Sequence, residues 1–408
     1  MNSNAAPQVI VAGHLCLDLI PTFAARSGSL RDLLAPGKLV EVGPVLLAPG
    51  GAVANTGLAL HQLGVATALV GKIGADALGR NLAAIFQERA PALAGSLIVA
   101  EGVPTSYSLV ISPPGMDRLF LHCPGANDSY SADEITDAQL AGARLLHFGY
   151  PPLMRQVYAD EGRALARLFA RAHALGLVTA LDMAQPDPTQ PAGRVDWRAF
   201  LARVLPEVDL FLPSLDEIVF MLDRARFGTA PAAGGELLDD LARQLLDAGA
   251  TLVGLKLGDQ GLYLRTTAEA GRFAHWGAAA ADRWCNRELL TPCLQVNVAG
   301  TTGAGDSTVA GFIAGWLLGL SPEAVLRSAV AVGACCVEQP DATSGVPHWS
   351  NVQQRLRAGW PRRPTALALA GWRLDPEQEM WSSPRDAYSV GRSPHSKERD
   401  RHDVSDRH

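Results

Sequence analysis

The chain repeats one pattern over most of its length: a short apolar run followed by a longer amphipathic segment. The apolar runs are rich in β-branched residues or leucine, and they include QVIVAG, ATALVG, RLLHFG, LVTALD, VDLFLP and TLVGLKLG. The segments between them include ADALGRNLAAIFQERA, EGRALARLFARAHALG and ELLDDLARQLLDAG, where apolar residues recur at helical spacing. This alternation indicates βαβ units. It predicts an α/β fold with a mostly parallel central sheet that has helices on both faces.

Two regions interrupt the alternation. The first is PGKLVEVGPVLLAPG, which begins at Pro36, and the second is VPTSYSLVISPPGMDRLFLHCPG, in which a Pro-Pro-Gly turn separates two strand-like runs. These runs predict strands outside the main sheet. We expect a small β lid formed from about residues 15–48 and 103–125.

Length and composition suggest one large domain with an extension. At 408 residues the chain exceeds the usual size of a domain, but open α/β sheets of this size occur as single domains. We expect a domain at 1–360 and a C-terminal extension at 361–408. From Ser382 onward, few residues are apolar and basic residues alternate with acidic ones, so little surface is available to offset the entropy of ordering. Disorder is therefore predicted from about residue 382.

Charge and cysteine content narrow the classes of function. The net charge is -6 and 19% of residues are charged, which does not match the basic surface of a nucleic-acid-binding or membrane-bound protein. The start, MNSNAAPQVIVAGHLCLDLI, has no basic leader and its apolar run is interrupted. We expect neither a signal peptide nor a membrane span, a cytoplasmic location and a small-molecule partner. The six cysteines show no CxxC spacing, which argues against a cysteine metal site or a disulfide framework.

The stretch GTTGAGDSTVAGF, Gly300 to Phe312, concentrates glycines in front of a predicted helix. The preceding CLQVNVAG is strand-like, so the glycines are predicted at a strand-to-helix turn. Free N–H groups and the helix dipole make such a turn an anion site, which suits a phosphoryl group. Asp306 then has two interpretations that the local sequence leaves open. It is either an acid that stabilises the first turn, or a general base beside the bound phosphate.

Other phosphate-binding motifs are absent from the sequence. ALVGKIG has isoleucine after Gly71 and Lys72, so no P-loop is present, and no GxGxxG occurs. We therefore expect Lys72 to be an exposed lysine at the end of a strand.

Two separated motifs carry a family resemblance. TTGAGDSTVAGF resembles the C-terminal signature of the ribokinase-like sugar kinases, also called the phosphofructokinase-B family, and PGGAVANTGLALHQLG resembles their N-terminal signature. Other segments, such as VAGHLCLDLI, VDLFLPSLDEI and DATSGVP, resemble family segments in the same order. The resemblance covers roughly residues 8–350. It implies a ribokinase-like kinase that uses ATP and Mg²⁺ to phosphorylate a hydroxyl, expected to be a hydroxymethyl, of a sugar or sugar-like compound.

The resemblance also implies roles for particular residues. Asp306 falls on the catalytic base of the family. The anion hole corresponds to Gly303, Ala304 and Gly305. The sugar-binding positions correspond to Asp18, Gly50, Gly51 and Asn55.

The resemblance also implies that four further positions bind the nucleotide and the metal. Glu217 matches the acid of the family's Asn-x-x-Glu element, which organises Mg²⁺ and phosphate partly through water. The asparagine position of that element is Ser214 here. Lys256 and Gly258, in KLGDQG, fall on the nucleotide-binding loop.

Two departures from the family pattern affect function. Gly300 replaces an aspartate that contributes to a monovalent-cation site, which puts potassium activation in doubt. Where ribokinase has an acidic sugar ligand, this chain has Gly149 and Tyr150, and an aromatic ring could stack on a sugar. The alternatives are a nucleoside kinase of the same fold, or a catalytically weak sugar-binding or regulatory protein. A homodimer through the lid strands is plausible on the resemblance.

Overall fold

The computed structural model describes residues 7–23, 35–114, 119–228, 234–277 and 279–388. In these ranges the strands are β1 (Val9–Gly13), β2 (Cys16–Pro21), β3 (Val45–Gly50), β4 (Thr67–Val70), β5 (Lys72–Gly74), β6 (Ile98–Ala100), β7 (Tyr107–Ile111), β8 (Leu119–Cys123), β9 (Leu145–Gly149), β10 (Val178–Asp182), β11 (Leu210–Phe211), β12 (Leu252–Lys256), β13 (Leu262–Thr266), β14 (Glu288–Thr291), β15 (Arg373–Asp375) and β16 (Met380–Ser382). The α-helices are α1 (Gly51–Gln62), α2 (Ala77–Arg89), α3 (Asp137–Leu140), α4 (Arg155–Tyr158), α5 (Arg163–Ala174), α6 (Trp197–Val204), α7 (Leu215–Leu222), α8 (Gly235–Asp247), α9 (Ala280–Trp284), α10 (Ala304–Leu317), α11 (Pro322–Val337) and α12 (Trp349–Arg357).

The main sheet has ten strands in the order β15-β16-β14-β13-β12-β11-β10-β9-β1-β4. The six strands from β4 to β12 are parallel, and β13, β14, β16 and β15 extend the sheet in antiparallel pairing. The predicted α/β fold with a mostly parallel sheet is confirmed.

Helices cover both faces of the sheet, as the strand sequences require. In β1, Val9 and Val11 pack into a core with α1, α10 and α11, whereas Ile10 and Ala12 pack on the other face with α5, α6 and α8. All five residues of β1 are buried, which explains why the strand is a continuous apolar run. In the described ranges, no helix has both the length and the apolarity needed to cross a bilayer.

A separate sheet of four strands, in the order β3-β2-β7-β8, forms the lid. β2 pairs with β3 in antiparallel and with β7 in parallel orientation, and β7 pairs with β8 in antiparallel orientation. The predicted small β lid is thereby confirmed. The turn between β7 and β8 includes residues 115–118, which lie outside the described residues.

The segment before α10 differs from its prediction. CLQVNVAG, residues 293–300, was predicted to be a strand, but it is irregular chain in which one isolated bridge joins Leu294 to Arg362. The prediction is wrong because Leu294 packs in the core without a strand partner, whereas Val296 and Val298 line a cavity and Val298 is 57% exposed.

The predicted start of C-terminal disorder is also wrong for residues 382–388. Ser383 and Asp386 are buried, and Asp386 Oδ1 accepts hydrogen bonds from Arg287 Nε at 2.8 Å and from the backbone N–H of Glu288 at 2.9 Å. The charges of this segment are satisfied inside the fold, which a count of apolar residues could not reveal. Residues 389–408 lie outside the described part of the chain.

Candidate functional site

The candidate site lies at the carboxyl edge of the parallel strands. β9 ends just before Tyr150, β10 ends at Asp182 and β12 ends at Lys256. Helices α1 and α10 begin near the same edge, because Asn55 of α1 and Tyr150 after β9 both donate to Asp306 of α10, and this edge is where open α/β sheets bind ligands.

Asp306 lies in the first turn of α10 and is 2% exposed. The helix begins after Gly303, whose φ of 74° is left-handed and whose missing Cβ would lie 2.5 Å from the carbonyl oxygen of Ala342. Both features require glycine at this position. The N–H of Ala304 donates to the carbonyl of Thr301 at 3.3 Å, so this amide of the predicted anion hole has a partner within the turn.

Three side chains donate hydrogen bonds to the Asp306 carboxylate. Asn55 Nδ2 donates to Oδ2 at 2.9 Å, and Thr56 Oγ1 donates to Oδ1 at 3.3 Å. The Tyr150 hydroxyl lies 2.9 Å from Oδ1 and 2.8 Å from Oδ2. Burial raises the pKa of Asp306, and these donors oppose that shift because they stabilise the carboxylate. The arrangement holds a carboxylate that is more basic than an exposed aspartate.

Tyr150 reaches Asp306 through an unusual backbone conformation. Its φ is 67°, in the left-handed region, which costs a non-glycine residue on the order of 1 kcal/mol. The sequence suggested a ring that stacks on a ligand, whereas the structure directs the hydroxyl to Asp306. Burial and the nearby Asp306 charge raise the Tyr150 pKa well above its usual value, so the hydroxyl stays protonated and can donate.

A second cluster of charges lies next to Asp306. Lys256 Nζ donates to Asp182 Oδ1 at 2.6 Å, while Asp182 Oδ2 is buried without a partner among the described residues. Burial raises the pKa of Asp182 to about 7, and the Glu217 and Asp306 charges add to this shift while Lys256 opposes it. Three carboxylates therefore surround one ammonium group, an environment that favours a cation.

Lys256 also borders the start of α10. Its Nζ lies 3.6 Å from the position that a Cβ on Gly305 would occupy. Burial opposes the charged form of this lysine, but the charges of Asp182 and Glu217 outweigh burial and raise its pKa. The ammonium is thus charged beside the amides of the predicted anion hole.

The predicted Ser214 and Glu217 pair forms a capping box at the start of α7. Glu217 Oε2 accepts from the N–H of Ser214 at 2.7 Å, and Ser214 Oγ accepts from the N–H of Glu217 at 3.4 Å. The serine therefore performs a structural role that orients the Glu217 carboxylate near Asp182 and Lys256.

Two of the four predicted nucleotide and metal residues border a largely apolar cavity of about 310 Å³, whereas Ser214 and Glu217 do not line it. Lys256 and Gly258 line it, together with Ala304 and Gly305. Its apolar wall includes Val296, Val330 and Val337. Apolar walls with a few polar groups at one end are typical of small-molecule sites.

Asp18 and Gly50 lie on the other side of the loop before α10. Asp18 is in β2, pairs in register with Ala48, and lines a cavity of about 170 Å³ that also includes Thr302 and Asp341. Burial raises the pKa of Asp18 to about 6. Gly50 ends β3 and precedes α1 as its N-cap.

Gly51 permits close approach of the chain after β1. Its φ is 84°, and a Cβ there would lie 2.5 Å from His14 Nδ1. This nitrogen and Asn55 Oδ1 are buried and lack partners among the described residues. Burial and the neighbouring His122 lower the pKa of His14 to about 3, so the ring is neutral. Unpaired buried polar atoms near Asp306 fit a polar ligand that is held there.

Lys72 does not belong to this site, and its predicted exposure is wrong. It is buried, and its Nζ donates to the carbonyl of Ser129 at 3.1 Å and to Glu134 Oε1 at 3.0 Å. The two short 3₁₀ helices that contain these partners, Gly125–Ser129 and Ala132–Glu134, cover the end of the strand.

The sequence analysis did not identify Asp182, Thr56 or His14 as site residues. Asp182 had a detectable signal, since it ends the apolar run LVTALD at the carboxyl end of a predicted parallel strand. Thr56 and His14 had no such signal, because their roles depend on contacts with distant parts of the chain.

Comparisons with known proteins place the chain among related sequences. Residues 6–349 match the profile of the family described as pfkB family carbohydrate kinase. An uncharacterized sugar kinase of Archaeoglobus fulgidus is 28% identical over 293 residues, which cover 71% of this chain and 98% of that protein. Fructokinase-1 of Zea mays is 26% identical over 305 residues, covering 74% of this chain and 80% of that protein.

Solved structures share the fold. Fructokinase with bound ATP from Xylella fastidiosa has a TM-score of 0.65 at 19% identity, and covers 86% of this chain and 99% of its own. A putative ribokinase II in complex with ATP and Mg²⁺ from E. coli has a TM-score of 0.62 at 20% identity, with the same two coverages of 86% and 99%.

Proposed function

Because the chain belongs to the pfkB family of carbohydrate kinases, we propose that it transfers the γ-phosphoryl group of ATP to a hydroxyl group of a sugar or sugar-like compound. The observation that carries this proposal is the position of Asp306. Its helix start, at Ala304 and Gly305, lines the 310 Å³ cavity, whereas Thr302 in the same loop lines the cavity that contains Asp18. A general base between a donor site and an acceptor site is what phosphoryl transfer requires.

Asp306 would accept the proton of the acceptor hydroxyl as its oxygen attacks the phosphoryl group. Asn55, Thr56 and Tyr150 orient the carboxylate through the hydrogen bonds described above. The raised pKa of Asp306, caused by burial, makes it a stronger base than an exposed aspartate.

The helix start and a lysine would stabilise the negative charge of the transferred phosphoryl group. The backbone of Gly303 to Gly305 lies at the positive end of α10, and the charged Lys256 lies beside Gly305. Fixed donors of this kind stabilise a transition state more effectively than mobile water does.

The charge cluster also fits Mg²⁺, which neutralises phosphate charge when bound with ATP. Asp182 and Glu217 would hold it, directly or through water, because carboxylate oxygens are the ligands that Mg²⁺ prefers. The unpaired Asp182 Oδ2 supports this assignment.

The acceptor is proposed to be a sugar that contacts Asp18, Gly50, Gly51 and Asn55. Several relatives are named fructokinases, so ketohexoses are the first compounds to test. The nucleotide is assigned to Lys256, Gly258 and the apolar cavity near them.

The test is a screen of Mg²⁺-dependent ATP consumption over ketohexoses, aldohexoses, pentoses, keto-deoxy acids and nucleosides, with Asp306→Asn as the matched control. Turnover of a sugar by the unmodified protein, but not by Asp306→Asn, would support the proposal. Turnover confined to nucleosides would replace it with the nucleoside-kinase alternative. Tight sugar binding without turnover would instead support a binding or regulatory protein.

A homodimer through the lid is a further part of the proposal. Val45, Leu46, Phe120 and Leu121 on the lid strands are large apolar side chains that are exposed. Sedimentation equilibrium of the protein and of a Leu121→Asp variant would test it. A monomeric unmodified protein would contradict it.

A further inference from the structure

Three potential metal ligands converge far from Asp306 in the fold. His173 lies in the last turn of α5, Asp209 directly precedes β11, and His275 lies in the 3₁₀ helix Ala270–Trp276. One ligand atom from each residue lies within 4.8 Å of the other two. Asp209 contacts Thr179 near the amino end of β10, whereas Asp182 of the kinase site ends that strand. The cluster is therefore at the opposite edge of the sheet from the kinase site.

The distances within the cluster are close to those of a tetrahedral site. Nε2 of His173 and Nε2 of His275 each lie 2.9 Å from Asp209 Oδ2, and the two ring centroids are 5.1 Å apart. Two imidazoles bound tetrahedrally at about 2.0–2.1 Å would have centroids about 5 Å apart and ligand atoms about 3.3 Å apart. An ion would thus require each N···O distance to widen by about 0.4 Å. Small side-chain rotations can provide this, because the His275 side chain is 36% exposed.

Hydrogen bonds around the cluster orient two of the three potential ligands, His173 and Asp209. His173 Nδ1 lies 3.2 Å from Glu207 Oε2, so a neutral ring that donates there has its lone pair on Nε2. Metal-bound histidines usually donate their second N–H to a carboxylate in this way. Asp209 is 1% exposed, and the N–H of Thr179 holds its Oδ2 at 2.9 Å.

A network of hydrogen bonds alone is the competing explanation. Asp209 Oδ2 would then accept from both Nε2 atoms in addition to Thr179, and His173 would need to be doubly protonated to satisfy Glu207 as well. The two explanations differ in one property that can be measured. Only the metal site uses the lone pairs of both Nε2 atoms.

We propose that His173, Asp209 and His275 bind one divalent transition-metal ion, for which Zn²⁺ is the best fit. Two imidazoles and one carboxylate are ligands that Zn²⁺ favours, and the partial exposure of both histidines leaves a fourth position for water. Mg²⁺ prefers a set of oxygen ligands, so the site is distinct from one that serves ATP. The ion would join α5, the start of β11 and the 3₁₀ helix, and would stabilise the fold whether or not the proposed kinase reaction is correct.

The test uses the full chain after exhaustive dialysis against a chelator. Zn²⁺ is titrated by calorimetry, and thermal unfolding is recorded with and without the ion. The variants are His275→Gln and His173→Gln, and the control is His61→Gln, a partly buried histidine of α1 outside the cluster. Co²⁺ substitution then reports coordination through its visible absorption.

The expected result is one Zn²⁺ per chain, with higher thermal stability in the presence of the ion. Each cluster variant should bind at least tenfold more weakly, and Zn²⁺ should not raise its melting temperature above that of its own metal-free form. The control should bind normally. Absence of saturable binding at micromolar Zn²⁺, or equal binding by all variants, would overturn the proposal.

Discussion

The Tyr150 hydroxyl contacts both oxygens of Asp306 and stabilises the charged form of that carboxylate. In Tyr150→Phe this donor is lost, so the pKa of Asp306 should rise further. We expect a several-fold lower rate than that of the unmodified protein on the acidic side of the pH profile, where Asp306 becomes protonated, and a smaller difference on the alkaline side. The measurement is the pH profile of kcat/KM with melting temperature as a check. An unchanged acid limb in a stable variant would show that Tyr150 does not control Asp306.

Asp18 gives a second pH dependence, which concerns sugar binding. Burial raises its pKa to about 6, so the carboxylate is present above that pH and is lost as the pH falls through it. Because a protonated carboxyl accepts fewer hydrogen bonds from a diol, KM for the sugar should rise below about pH 6 while KM for ATP changes little. Asp18→Asn should bind sugar weakly at every pH. Equal pH responses of both KM values would contradict the assignment of Asp18.

Single residues differ in how well their sequence predicts their role. The position of Asp306 in the first turn of a helix could be predicted because a glycine-rich turn before a helix is a local pattern, whereas its role as a base is implied by the family resemblance and stays a prediction. Asp182 had a signal at the end of the run LVTALD, but its pairing with Lys256 and the hydroxyl contact of Tyr150 had none, because each depends on which strands lie side by side in the folded sheet.

At the scale of elements, the loop from residue 293 to Gly303 leads into the helix start that we propose holds the phosphoryl group. Gly300 donates its N–H to Val337 at 3.3 Å, and a Cβ on Gly300 would lie 2.9 Å from the carbonyl oxygen of Pro340. Turnover should depend little on potassium, because glycine supplies no carboxylate for that ion. The contact with Pro340 predicts that Gly300→Asp, which would restore the acid, displaces the loop and lowers activity.

The measurement is the initial rate at fixed Mg²⁺ and constant ionic strength, with potassium exchanged for a large organic cation. Many-fold activation of the unmodified protein by potassium would contradict the prediction. A fully active Gly300→Asp variant would contradict the steric argument.

Strands and helices whose apolar residues recur at regular spacing could be predicted from the sequence, whereas the irregular segment before α10 could not. The apolar runs of β1, β4, β9, β10, β11 and β12 and the amphipathic segments of α2, α5 and α8 appear in the structure as predicted. Residues 293–300 have the same apolar content as a strand, but Val296 and Val298 line a cavity and Val298 is largely exposed. The apolar pattern alone cannot distinguish such a segment from a buried strand.

At the scale of the whole molecule, the C-terminal segment completes the main sheet. β16 pairs with β14, and Asp386 forms a buried ion pair with Arg287, whose side chain is 3% exposed. The disorder predicted from about residue 382 would make removal of residues 382–408 neutral for stability. The structure instead predicts a loss on the order of 3 kcal/mol, because Arg287 and the backbone of Glu288 lose buried partners. Truncation after Tyr388 keeps these contacts and is the control.

Chemical denaturation of both truncated chains is the measurement. If removal of residues 382–408 and removal of residues 389–408 gave the same stability, the buried contacts of residues 382–388 would contribute nothing measurable.

The proposed kinase site also depends on the whole fold. The strand order brings His14, Tyr150, Asp182 and Asp306 to one edge of the sheet, although they are far apart in the sequence.

The central claim is that Asp306 is the base of this site. Asp306→Asn is nearly isosteric and should still accept hydrogen bonds from Asn55 and Tyr150, so the fold and ATP binding should persist. The decisive measurement is single-turnover phosphoryl transfer to the sugar identified by the screen, with melting temperature and ATP affinity recorded in parallel. The account predicts a loss on the order of 10²–10⁴ in rate at unchanged stability, whereas a rate within a few-fold of the unmodified protein would contradict it.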